Sequence, residues 1–239
     1  LEDYADRPDH RGLNTLTEAR LAEVCDRALE RGFQVAVHAI GDAGNRMVLD
    51  GFEAAFARHP YAKDARFRIE HSQILDGRDI PRFAALGVIA SMQAAHATSD
   101  MPWVPDRLGE ARSKEGAYVW QSLLEAGAVV CNGTDAPVER LSPFECLYAS
   151  VTRQDRSGQP SGGWYPEQRM TREQALESYT ASGAYAAFEE DQKGRLGIGL
   201  LADLVVLNEN LLEVPAERLL EAEVVLTIVG GEVVYRRDG

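Results

Sequence analysis

Phe33-Gln-Val-Ala-Val-His38, Arg66-Phe-Arg-Ile-Glu-His71 and Ala128-Val-Val-Cys-Asn-Gly-Thr-Asp135 are three short apolar runs, each closing on a residue that binds metal or handles protons. Each follows a stretch of helical length and amphipathic pattern, and that alternation predicts βα units around a parallel sheet. In a closed sheet of this kind the C-terminal strand ends share one rim, so residues far apart in sequence meet there. Two imidazoles and a carboxylate on one rim form a partial ligand set for a divalent cation.

Outward from these runs, Thr17 offers an N-cap ahead of a helix over 18–31, with Gly32 as its stop. Gly41–Gly44 reads as a polar turn into a helix over 45–58, and another helix is expected near 77–86. Val88–Gln93 is a fourth strand. Ala94–Lys114 is polar and mixed in pattern, and reads as a long functional loop or lid. A helix near 116–126 leads to the strand ending at Asp135, and Ser142-Pro143 opens the next helix. Gln154–Pro166 is a loop, and Thr171-Arg-Glu-Gln174 is a capping pattern for a helix through Phe188. Beyond Lys193 the pattern turns to strands, 203–207, 224–229 and 232–235, the last two joined by Gly230-Gly231 as a hairpin turn. The expected organisation is therefore a βα region over 1–192 and a small β unit over 193–239. Four strand–helix units precede the tail, where a full (β/α)8 barrel has eight, so the α/β chain reads as half of a TIM-like barrel.

The 239 residues carry 25 Lys and Arg against 38 Asp and Glu, a net charge of −13, which argues against nucleic acid or an anionic membrane as partner. No run approaches the length of a membrane span. Cys25, Cys131 and Cys146 are scattered in apolar surroundings and read as reduced core residues of a cytoplasmic protein. His10 and His59 read as surface residues.

Taken singly, the strand-end residues stay open to two readings. His38 and His71 suit structural hydrogen bonding or ligation, and Asp135 after Gly133-Thr134 suits capping of the next turn or ligation. His96, in the loop after the strand Val88–Gln93, fits substrate contact or plain surface placement. In combination they resemble a known family. His38-Ala-Ile-Gly-Asp42, Arg68-Ile-Glu-His-Ser-Gln73, Ser91-Met-Gln93 with His96-Ala-Thr-Ser-Asp-Met101, and Gly133-Thr-Asp-Ala-Pro-Val138 resemble the amidohydrolase superfamily. More narrowly they resemble its family 3 branch, which includes N-substituted formamide deformylases. Lys193–Leu207 is similar to the segment entering that superfamily's companion β-sandwich.

The resemblance implies a metal-dependent hydrolase of carbon–nitrogen bonds other than peptide bonds. It makes His38 and His71 metal ligands from the fifth and sixth barrel strands, and Asp135, on the eighth, both ligand and catalytic base. One or two ions, zinc foremost, would be held. Gln93, His96 and Trp103 become candidates for contact with a small-molecule substrate. The superfamily's His-x-His pair and its carboxylated lysine have no counterpart here, because Lys63, Lys114 and Lys193 all follow His38. The chain is accordingly expected to be the C-terminal part of a longer enzyme that needs the N-terminal half of the barrel, with a homodimer left open. A binding or regulatory protein on the same scaffold is the alternative reading.

Overall fold

The structure is a computed structural model and describes residues 1–62 and 64–238; Lys63 and Gly239 lie outside them. In chain order the elements are α1 (Glu18–Arg31), β1 (Ala36–Ala39), α2 (Asp42–Arg58), β2 (Arg68–His71), α3 (Ile80–Leu86), β3 (Ile89–Met92), α4 (Ala94–Asp100), α5 (Val104–Leu108), α6 (Glu110–Gly116), α7 (Trp120–Glu125), β4 (Val130–Asn132), α8 (Pro143–Thr152), α9 (Arg172–Tyr179), α10 (Ala181–Ala186), β5 (Leu204–Leu207), β6 (Val224–Val229) and β7 (Glu232–Arg236). The first sheet has the order β1-β2-β3-β4. Its first pairs are parallel, with His38 opposite Glu70, Ala39 opposite His71, and Glu70 opposite Ser91. Helices alternating with a parallel sheet are the α/β pattern expected, at the strand count of half a barrel. No helix of the described residues is long and apolar enough to cross a membrane.

The chain divides into two compact units, one of residues 1–93 and 99–130, the other of 94–98 and 131–239. In the first, α1 forms where its caps say it should. The Thr17 hydroxyl accepts from the Arg20 N–H at 3.2 Å, and Gly32 takes a left-handed φ of 71°. The Phe33 N–H then closes on the Ala28 carbonyl at 2.9 Å, so Phe33 terminates the helix and β1 starts only at Ala36. Leu21, Cys25, Ala28 and Leu29 form the buried face of α1. It packs tightly on α2 at Gly51, where a Cβ would sit 2.6 Å from Leu21 Cδ2. Beneath, Phe52 is fully buried with its ring edge-on to Phe67, centroids 4.9 Å apart. Phe52→Ala is expected to lower unfolding free energy by about 3–5 kcal/mol, since the cavity adds to the lost transfer energy. Denaturant unfolding of the intact protein checks this, and a loss under about 1 kcal/mol would place the core elsewhere.

Ala94–Lys114 is not a loop. Three short helices, α4 to α6, occupy it, punctuated by Pro102, Pro105 and Gly109 at φ 80°. Helices of five to seven residues are too short to print a helical period on the sequence. The helix expected through Phe188 is likewise interrupted. Thr171 and Gln174 form the full capping box of α9, but Thr180 leaves the helical region at φ −123°, ψ −85°, and α10 begins anew.

In the second unit, Cys146, Leu147, Tyr148, Met170, Ala175 and Leu219 are buried. The tail strands β5, β6 and β7 form an antiparallel sheet in that order. Gly230 and Gly231, both at positive φ (57° and 85°), make the tight turn between the last two.

Candidate metal and catalytic site

The strand-end histidines meet through a break in strand geometry. Successive residues of a strand face opposite sides of the sheet. His38 shares a face with its partner Glu70, and His71, one residue on, falls opposite Ala39. Unbroken alternation would leave the two imidazoles on opposite faces. Instead His71 has φ 80° and Ser72 φ 45°. That left-handed exit turns the His71 ring to stand edge-on to His38, with centroids 4.5 Å apart at 73°. Two consecutive non-glycine residues at positive φ store strain of about 1–3 kcal/mol each, a cost that concentrates at functional sites.

Behind His71, at the end of β3, Gln93 is buried and its Oε1 lies 2.8 Å from His71 Nδ1. Asn45 fixes the rim from the other side. It is fully buried on α2, and its Nδ2 lies 3.0–3.2 Å from the carbonyl oxygens of Ala39, Ile40, Gly41 and Ile74. Backbone bonds from Ser72 to Ala39 (3.1 Å) and Ile74 to Ile40 (2.9 Å) tie the same turns together. Sequence reading overlooked Asn45. Its signal was a polar residue on the stripe otherwise formed by Val48, Leu49 and Phe52.

His38 and Trp103 line one cavity of about 620 Å³, with Met47, Gln73, Arg107 and Tyr118 also in its wall. Trp103 is 48% exposed, whereas Tyr118 is buried and donates its hydroxyl to Asp100. Below His38 on the same face, the Arg68 guanidinium pairs with Glu70 at 2.5 Å and also reaches Gln34.

The second unit holds Asp135, His96 and Glu139. Asp135 sits at φ 53° just after β4, and its carbonyl closes the following turn by accepting from the Val138 N–H at 2.8 Å. Its carboxylate Oδ2 lies 3.3 Å from His96 Nε2, and His96 Nδ1 lies 3.1 Å from Glu139 Oε1. His96 is thus buried between two carboxylates rather than on the surface. Glu139 escaped sequence reading; four residues after Asp135, it belongs to the turn that Asp135 opens.

The remaining histidines and cysteines are structural in setting. His59 is only 13% exposed at its side chain and bridges Tyr61 (2.7 Å) and Asp26 (3.0 Å), while His10 stacks on Tyr4, so neither is a simple surface residue. All three cysteines are buried and free. Burial pushes the Cys25 thiol up to about 12 and raises Cys146 as well, which leaves both protonated and unreactive.

Known proteins are similar to this chain in sequence and in fold. Protein LONG AFTER FAR-RED 3 of Arabidopsis thaliana is 36% identical over 234 residues, covering 98% of this chain and 40% of the relative. The N-substituted formamide deformylase of Arthrobacter pascens is 28% identical over 234 residues, covering 96% of this chain and 42% of the enzyme. An uncharacterized metal-dependent hydrolase of Pyrococcus furiosus superposes with a TM-score of 0.76 at 31% identity, over 89% of this chain and 41% of that one. The chain thus spans less than half the length of each. The amidohydrolase family model matches residues 1–235, nearly end to end. The chain belongs to the amidohydrolase family.

Proposed function

We propose that the protein carrying this chain hydrolyses an amide-type, non-peptide carbon–nitrogen bond of a small molecule with the help of a divalent metal. The observation behind this reading is the His38–His71 pair, brought to 4.5 Å by a strained strand exit in a member of the amidohydrolase family. The donor set fits a borderline cation. His71 Nδ1 lies 2.8 Å from Gln93 Oε1, so Nε2 is the nitrogen that would face an ion, and imidazoles with a carboxylate suit zinc better than magnesium. His38, His71 and Asp135 would hold the ion, which when bound lowers the pKa of water and polarises the scissile carbonyl.

In this reading Asp135 takes the proton of the attacking water on a carboxylate oxygen and passes it to the leaving nitrogen, as base and then acid. His96, 3.3 Å from Oδ2, holds that carboxylate in place, with Glu139 steadying the imidazole. Trp103 and the cavity beside His38 give the substrate an apolar wall with a few hydrogen-bonding groups.

The test is hydrolysis by the intact protein of an amide panel that starts with N-substituted formamides, before and after chelation. Turnover is expected to vanish with the metal and return with zinc. Full turnover in the chelated protein would overturn the metal reading. A zinc-loaded protein inert across the panel would favour a binding role.

A further inference from the structure

We infer that Gln93 is a positioning residue for His71, setting which of its ring nitrogens faces outward; this rests on the reading of His71 as a metal ligand. Gln93 is 8% exposed. Among the described residues its side-chain Nε2 reaches only the Ser91 carbonyl at 3.5 Å, whereas its Oε1 is 2.8 Å from His71 Nδ1. A carboxamide oxygen can only accept, so Nδ1 carries the proton and the lone pair sits on Nε2. The same bond fixes the ring's rotation. His71 is the last residue of β2, where a φ of 80° turns the chain out of the strand, so the bond from Gln93 holds a ring at the point where regular pairing ends. Register brings the two together: Glu70 pairs with Ser91, and both strands then run two residues or fewer to the bonded pair. Gln93 therefore acts on the metal through His71, not on the substrate directly.

The two roles separate experimentally. The intact protein is stripped with a chelator and titrated with Co(II), following the visible d–d bands, and with Zn(II) in competition. Gln93→Leu is expected to bind both ions about 10–100-fold more weakly, the usual effect of losing the partner behind a ligating histidine. Its Co(II) bands should shift, while the unfolding temperature of the metal-free form stays near wild type. Gln93→Glu, which keeps an acceptor and strengthens it, should bind Co(II) at least as tightly as wild type, again with shifted bands. A Gln93→Leu protein with wild-type Co(II) affinity and bands, and only a raised KM, would make Gln93 a substrate contact and overturn the inference. If Gln93→Leu does not fold, Gln93→Glu decides alone, and bands identical to wild type would overturn the proposal. A wild-type protein that binds neither ion would remove the metal site itself, and that result is read before any variant is made.

Discussion

Asp135→Asn is expected to slow turnover about 10²–10⁴-fold, the range typical for loss of a proton acceptor in the transition state. The substitution keeps the shape of the side chain and an oxygen that can still ligate. It removes the negative charge, and with it the basicity that would take a proton from water and return it to nitrogen and the carboxylate partner of His96. The local fold should survive, because the turn after β4 is closed by the Asp135 backbone carbonyl and not by its side chain. Asn also tolerates the left-handed φ of 53° at this position better than most residues. The measurements are kcat and KM on a working amide, bound metal by elemental analysis, and thermal unfolding. A fall in kcat at unchanged metal content and unfolding temperature supports the base. Turnover near wild type would return Asp135 to a structural part.

The order of elements was legible in the sequence because caps and period agreed. Thr17 and Gly32 bounded α1, and Thr171 with Gln174 marked the start of α9. Gly230-Gly231 located the hairpin, since few other pairs accept two successive positive φ values. What failed to show had a common physical origin. The helices over 94–116 are each about two turns or less, so proline and glycine punctuation outweighed any period. Phe33 read as strand because it is apolar, yet a backbone bond to Ala28 spends it on ending α1.

The candidate site was legible as residue types and not as geometry. Strand-end position drew attention to His38 and His71, but their register differs by one residue, and period-two logic alone would have separated them. The positive φ at His71 breaks that alternation, and nothing in Glu70-His71-Ser72 announces a left-handed turn, since none is glycine. Gln93 is a parallel case. Its place at a strand end was legible, but the 2.8 Å approach of its Oε1 to His71 Nδ1 was not.

The remaining large effect belongs to the two imidazoles. His38→Ala and His71→Asn are each expected to weaken zinc binding by more than the about 10–100-fold that residues behind a ligand contribute. The choice of replacement follows from the backbone. His38 lies in regular β1 and is exposed, so alanine there removes the ring at little cost to the fold. His71 sits at φ 80°, where alanine would add strain of its own and asparagine is accepted. Ligand binding gives a readout independent of catalysis. Zinc that binds only the native state adds RT ln(1 + [Zn]/Kd) to stability, about 2.7 kcal/mol at a hundredfold excess over Kd. Wild-type protein should therefore melt higher as zinc is added to the chelated form, while both variants start from a similar metal-free unfolding temperature and respond far less at the same zinc. If His38→Ala keeps the full zinc-dependent rise, His38 is not a ligand and its place on the cavity wall belongs to substrate recognition. If both variants keep it, zinc binds elsewhere, and the strain at His71 and Ser72 needs another explanation.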